Sequence, residues 1–385
     1  MSYELSAIIS IGLENKIIEE FKLKKDHFFK EDFISVSTFK GGVTFTFEDI
    51  GYFHLIKTLR SPTKFFLKFA EFKCRDLPKL YKKLIKLPWE RVLYSKDIEV
   101  TASAKKSRII HSKKIEETSY NSLQKWLSAN PRKKLPLSEF TVKQKVHVHI
   151  EDDTATVRIN CSGEPNYKRN LRKTQGIAPL RENYAYILLS ELTANLYNSK
   201  DKTVLIDPMC GSGTFLSEAI NFFLPISKRD FSYEYFYFLK NLPKLDYQKK
   251  DRTNFELIGI EKNNHLKQFH EKNFSNDKRA RFIYDDFFKT DINELSTQNG
   301  FIICNLPYGK RIKVGKDIND FYKCFINKIR TDFSNYQAAV LLPSTFAKKL
   351  KLRTLISFKN GGLDVSFCQI NPGLNTNSTS MRNQD

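Results

Sequence analysis

The sequence predicts an α/β fold: a parallel sheet flanked by helices, preceded by smaller α+β units, in a chain of 385 residues. Two observations predict the sheet. After about residue 165 short apolar runs (TVLID, ELIGI, RFIY, FIIC, AAVLLP) alternate with helical stretches, as in sheets covered on both faces. The terminal FKNGGLDVSFCQI puts Asn-Gly-Gly between two strand-like runs, which predicts a hairpin at the sheet edge. A third observation, that SAIISIG and GGVTFTF alternate with the helical runs NKIIEEFKLK and IGYFHLIKTLR, predicts a small α+β unit ending near residue 60.

A second segment, about 61–160, holds TASAKKSRIIHSKKIEETSYNSLQKWL, in which a basic loop leads into a helix. The boundaries read as 1–60, 61–160 and 161–375, with 376–385 a polar tail expected to be disordered. No run approaches the length of a membrane helix, and the first residues place an acid where an export signal wants positive charge, so a soluble cytoplasmic protein is expected.

Sixty-four Lys and Arg against 43 Asp and Glu give a formal charge of +21, which favours a polyanionic partner over an acidic small molecule. Aromatic residues make up 13% of the chain and would supply stacking surfaces for bases. The candidate RNA contacts are Lys105, Lys106, Arg108, Lys113 and Lys114 in the basic loop, with Lys168, Arg169 and Arg172 further on. The 6 cysteines form no CxxC pair, so neither zinc nor a disulfide framework is suggested. His147 and His149 alternate in VHVHI, where a solvated strand face is the expectation and a metal site is not.

Chemistry concentrates in four places. VLIDPMCGSGTFLSEAI reads as a strand ending at Asp207, a tight loop and a helix starting near Thr214. A ligand reaches backbone closely only where no Cβ intervenes, so Gly211 and Gly213 mark a cofactor cradle that also includes Pro208, Met209, Cys210 and Ser212. ELIGI runs into Glu261, whose carboxylate can accept both hydroxyls of a ribose. RFIY runs into Asp285 and Asp286, either of which could accept an adenine amino group, with Asp286 preferred. An excursion of aromatic and basic residues, about 221–252, separates the glycines from Glu261, and its role is not legible.

FIICNLPYGKR, the fourth place, puts Asn305, Leu306, Pro307 and Tyr308 just past a buried strand, where open α/β sheets hold their ligands. An aromatic amine is a poor nucleophile because its lone pair is delocalised into the ring. The Asn305 side-chain oxygen and the Leu306 carbonyl can each accept one N–H of such an amine, Pro307 holds the turn, and Tyr308 can stack on the base.

On these residues the chain resembles the class I, Rossmann-like methyltransferases, and DPMCGSGT with NLPYG resembles their amino-methylating branch. More narrowly, SGEPNYKRNLRKTQGIAPLRENYA and FKNGGLDV resemble the THUMP-containing bacterial 23S rRNA guanine-N2 methyltransferases. The resemblance implies a seven-stranded sheet and S-adenosylmethionine as cofactor, with Pro179 and its neighbours beside the methionine end. It also implies a ferredoxin-like unit over 1–60, a THUMP RNA-binding unit over 61–160, and ribosomal RNA or an assembly intermediate as partner, without metal or membrane. Leu306 stands where the family has proline, a position that would act through its carbonyl. A tRNA guanine-N2 methyltransferase would have the same architecture. A DNA adenine methyltransferase shares the Asn-x-Pro-Tyr loop but has no use for a THUMP-like half, and a non-catalytic RNA-binding or ribosome-assembly protein has no use for Asn305. Oligomeric state is not legible.

Overall fold

A computed structural model describes residues 2–29, 34–130, 143–169, 180–194, 203–222, 229–245, 255–275, 277–291, 295, 300–308 and 318–372. The chain divides into two compact units, one of residues 1–168 with 225–248 and the other of 169–224 with 249–385.

The first unit contains β1 (Tyr3–Ile8), α1 (Glu14–Phe28), β2 (Ile34–Phe39), β3 (Gly42–Phe47), α2 (Leu55–Thr58), β4 (Lys64–Lys73) and α3 (Leu77–Ile85). β5 (Ile98–Lys105), α4 (Ser112–Ala129), β6 (Gln144–Glu151) and β7 (Thr154–Asn160) complete it. Its strands form one sheet in the order β2-β3-β1-β4-β7-β6-β5, in which β5 and β6 alone run parallel. β1 pairs with β3 on one side and β4 on the other, so the boundary expected at residue 60 falls inside a continuous sheet.

Sheet alternation explains the burial: in β6 Val146, Val148 and Ile150 are buried while Lys145, His147, His149 and Glu151 alternate with them on the other face. The two histidines are half-buried and tied to neighbours, His147 to Thr101 and Ser103 and His149 to Ser103. Burial pushes His147 down to about 4, so it stays neutral at physiological pH.

The excursion that the sequence left without a role belongs to this unit. Arg229, itself buried, donates to the carbonyls of Ser162, Glu164, Pro165 and Lys168, and its guanidinium lies 4.3 Å from the centroid of the Phe231 ring. The Tyr94 and Ser232 hydroxyls bond at 2.9 Å, a His54 ring nitrogen donates to the Pro243 carbonyl at 2.7 Å, and Phe238 stacks on Tyr3. Its aromatic residues are therefore core residues here, supplied from a point late in the chain.

The second unit contains α5 (Glu182–Leu192), β8 (Thr203–Asp207), α6 (Thr214–Ile220), β9 (Phe255–Ile260), α7 (Lys267–Phe274) and β10 (Ala280–Ile283). It continues with β11 (Gly300–Asn305), α8 (Ile318–Asp332), β12 (Gln337–Pro343), α9 (Ser344–Lys349), β13 (Arg353–Asn360) and β14 (Leu363–Pro372). The order is β10-β9-β8-β11-β12-β14-β13: five parallel strands, then the antiparallel β14 and β13 at one edge. The β13–β14 hairpin turns on Gly361 and Gly362 at φ +58° and +87°, the left-handed pair such a turn requires. The core includes Val204, Ile206, Ile258, Ile302, Cys304, Val340 and the aromatic face of α8 (Tyr322, Phe325). The strand order reverses between β8 and β11, the switch point at which such sheets form a crevice.

Arg229→Ala removes four hydrogen bonds to carbonyls at once, three of them to groups within four residues. We expect it to cost about 3 kcal/mol of stability, measured by urea denaturation.

Candidate active site

β8 is buried along its whole length and delivers Asp207 at its carboxyl end; β11, its parallel neighbour, delivers Asn305. Together with the ends of β9 and β10 they wall a cavity of about 720 Å³. Of the residues expected to hold a cofactor, Asp207, Pro208, Met209, Cys210, Gly211, Ser212, Thr214, Glu261, Asp285 and Asp286 line it, and Asn305 and Pro307 line it from the other loop.

The turn between β8 and α6 explains the glycines. Gly211 has φ +53°, and a Cβ built on it would meet no atom within 4 Å, so the space above it is open. Gly213 has φ +77°, and a Cβ there would come within 2.8 Å of Phe274, so this glycine is needed for close helix packing. The turn closes through the Gly213 N–H, which donates to the Cys210 carbonyl, and α6 starts at Thr214.

Glu261 braces this turn. Its Oε2 accepts from the Gly211 N–H at 2.9 Å and its Oε1 from the Asn263 N–H at 2.8 Å, which fixes the carboxylate plane at the cavity wall. Asp286 accepts from the Phe288 N–H and from Lys262 Nζ at 2.7 Å, and the lysine holds its carboxyl below the ordinary range. Asp285 accepts from the Asp286 N–H through Oδ1, which leaves Asp285 with the freer acceptor oxygen.

Asp207 is 2% exposed, and one oxygen accepts from the Met209 N–H at 3.3 Å. Burial raises its carboxyl to about 8, with the Glu261 charge adding to the effect. Asn305 Oδ1 is shielded from solvent and has no hydrogen-bond partner among the described residues, an uncommon state for a buried acceptor.

The neighbours of Asn305 have other tasks. Leu306 is fully buried in the core, and its N–H donates to the Leu341 carbonyl, so leucine in place of proline fills apolar volume while the backbone direction is set by the sheet edge. The Tyr322 hydroxyl donates to the Pro307 carbonyl at 2.9 Å and anchors the turn. Tyr308, expected to stack on a base, is 7% exposed, does not line the cavity, and accepts through its hydroxyl from Asn360 Nδ2. In this arrangement it ties the loop to the β13–β14 hairpin.

Arg169 corrects the sequence reading. Expected to meet RNA, it is completely buried and its guanidinium donates to Glu218 Oε2 at 2.7 Å inside the second unit, because an unpaired Glu218 carboxylate could not be buried there. Lys168 is exposed and paired with Glu164. Lys105 pairs with Glu151 at 2.9 Å and the Arg108 side chain lies 4.0 Å from Asp153, while Lys106, Lys113 and Lys114 are exposed. Pro179 and Arg172, like residues 376–385, lie outside the described residues.

Several functional candidates were missed. Lys262, Phe288 and Phe321 line the cavity, as does Leu180, the neighbour of Pro179 expected beside the methionine end, and Phe288, exposed by 37%, is the aromatic ring most open to a planar ligand. Its signal was the FF that follows the paired acids.

In the first unit, α3 begins at Asp76, whose side chain accepts from the Lys79 N–H at 2.6 Å. Leu80 and Leu84 are buried, which leaves Lys79, Lys82, Lys83 and Lys86 exposed on one face at spacings of three and four. None of the four has a carboxylate partner among the described residues. No group of three or more His, Cys, Asp or Glu that could hold a metal occurs among the described residues, and no described helix is long and apolar enough to cross a membrane.

Residues 169–359 match the family described as the RMKL-like methyltransferase domain. A curated relative, the ribosomal RNA large subunit methyltransferase K/L of Colwellia psychrerythraea, is 25% identical over 342 residues, which is 81% of this chain and 45% of that protein. The chain thus spans about half the length of the curated relatives it matches over most of its own. Among solved structures, one assigned as a methyltransferase complexed with SAH superposes with a TM-score of 0.74 at 21% identity, covering 98% of this chain and 99% of that one. A possible methylase from Clostridium difficile 630 superposes with a TM-score of 0.73 at 23% identity over 100% of both chains. At these identities the structures establish the shared α/β fold.

The raised pKa of Asp207 sets a pH dependence. A carboxyl that binds its proton more tightly when folded stabilises the protein fully below its unfolded pKa, and that stability is lost as pH rises through the folded value of about 8. We expect the ligand-free protein to lose on the order of 5 kcal/mol between roughly pH 4 and pH 8 from this group. Asp207→Asn, which keeps an acceptor for the Met209 N–H, should remove that part of the slope in denaturation series run across pH.

Proposed function

From the membership of residues 169–359 in the RMKL-like methyltransferase domain family, we propose that the chain is an S-adenosylmethionine-dependent methyltransferase of large-subunit ribosomal RNA whose product is N2-methylguanosine. The observation that carries this reading is Asn305 Oδ1, a shielded acceptor without a partner among the described residues, on the wall of the cavity that also bears the glycine turn.

The residues fit the cofactor. The open space above Gly211 admits a ligand against bare backbone, the fixed carboxylate of Glu261 suits a pair of ribose hydroxyls, and Asp285 with Asp286 suits an adenine amino group. Phe288 offers a ring to a planar base. When bound, S-adenosylmethionine supplies a methyl group activated by a positively charged sulfur.

The chain's own part is orientation. Asn305 Oδ1 accepts one N–H of the guanine amine and the Leu306 carbonyl the other. With both protons held, the nitrogen lone pair turns out of conjugation and toward the methyl donor. The Tyr322 hydroxyl on the Pro307 carbonyl and Asn360 on Tyr308 keep the loop from relaxing while a base is drawn in. A base paired in a helix cannot reach the cavity, so the target leaves its stack first.

The RNA grip falls to the first unit, whose 61–160 segment we assign as the THUMP domain and whose 1–60 segment we assign as the ferredoxin-like element beside it. The exposed lysines of α3 join Lys106, Lys113 and Lys114 as phosphate contacts.

Two experiments test the assignment. Asn305→Ala should lower methyl transfer to large-subunit ribosomal RNA by roughly 100- to 1,000-fold with cofactor affinity nearly unchanged in calorimetry. Asp207→Ala should weaken cofactor binding first, and transfer to tRNA or duplex DNA in preference to ribosomal RNA would overturn the substrate. Changing Lys79, Lys82, Lys83 and Lys86 together to Gln should weaken RNA binding by about tenfold at low salt and flatten its salt dependence, leaving cofactor binding alone.

A further inference from the structure

Gly211 is held through both of its flanking peptide groups. Its N–H donates to Glu261 Oε2 at 2.9 Å, and its carbonyl lies 2.7 Å from His270 Nε2. A carbonyl only accepts, so Nε2 carries the proton; Nδ1 is then the acceptor for the Tyr284 hydroxyl at 3.0 Å. His270 is 1% exposed and lies parallel to Phe282, with centroids 4.1 Å apart and planes 10° apart. It projects from α7, the same helix whose Phe274 abuts Gly213, so one helix braces both glycines of the turn. Nothing in the proposed chemistry uses this imidazole.

We propose that His270 is a positioning residue for the cofactor turn: its Nε2–H holds the Gly211–Ser212 peptide while the Cys210–Gly211 peptide is held on Glu261, so the two torsions of Gly211 between them are fixed and the Glu261 carboxylate keeps its backbone donor. The role rests on the reading of this cavity as an S-adenosylmethionine site. With its carbonyl free, Gly211 could change φ and ψ together and carry the preceding peptide's N–H away from Glu261, so the ribose acceptor would lose its orientation before any ligand arrived.

The tautomer makes the device sensitive to protonation. An imidazolium would need a second acceptor, and Tyr284 would have to surrender its own donor bond. Glu261 faces the ring across the turn, and Cys210 and Glu271 lie near Tyr284, with Lys267 over the Tyr284 ring. Burial is the largest influence and keeps His270 below the ordinary histidine range, so the neutral form prevails around neutrality.

The test is calorimetric titration of the full chain with S-adenosylhomocysteine. His270→Leu keeps the apolar volume and loses the donor, and should weaken binding by about tenfold. His270→Gln places an amide N–H where Nε2 was and should bind within about twofold of wild type. On acidification wild type should lose affinity while His270→Gln holds it, a difference that Asp207 and Glu261, present in both proteins, cannot create. Wild-type affinity in His270→Leu, or parallel acid loss in wild type and His270→Gln, would overturn the positioning role. Absence of binding by wild type would overturn the cofactor reading and this role with it.

Discussion

The parallel pairing of β8 with β11, Gly300 to Ile302 against Val204 to Ile206, is the constraint on which the site depends. A parallel pair ends its strands on one edge, so the segments that follow Asp207 and Asn305 emerge side by side although about a hundred residues separate them. β9 and β10 extend the same edge on the β8 side and bring Glu261, Asp285 and Asp286 to the cavity in order. One register thus gathers the whole constellation, and a displaced pairing would scatter it.

The polar groups in this cavity are arranged as a set of constraints on one another. Glu261 is spanned by two backbone donors, Asp286 is held by Lys262, Gly211 is pinned through both its peptide groups, and Pro307 is anchored by a buried tyrosine. Asn305 Oδ1 is the shielded oxygen on this cavity's wall with no partner among the described residues. A buried acceptor left unsatisfied costs stability, and a ligand group that completed it would recover that cost, which is the basis for the role proposed for Asn305.

Much of the second unit was legible because its signals are local. A run such as TVLID is apolar on both faces, which only a central parallel strand requires, and the acid-glycine turn and the Asn-Gly-Gly hairpin each specify backbone geometry within a few residues. The cofactor residues followed from strand ends, so all but Gly213 and the undescribed Pro179 line the cavity. What failed depended on distant partners. Arg169 looks like a surface cation until Glu218, 49 positions on, is folded against it. The excursion near residue 230 was unreadable for the same reason, since its aromatic residues complete the core of a unit that begins two hundred residues earlier. His270 gave no local signal at all, because a histidine in a polar helix acquires meaning only from the carbonyl it meets.

Nucleoside mass spectrometry of ribosomal RNA from cells that carry the chain and cells that lack it tests the central claim most directly. One N2-methylguanosine of the large-subunit RNA should disappear when the chain is absent and return when it is restored. An unchanged modification profile in that RNA would contradict it.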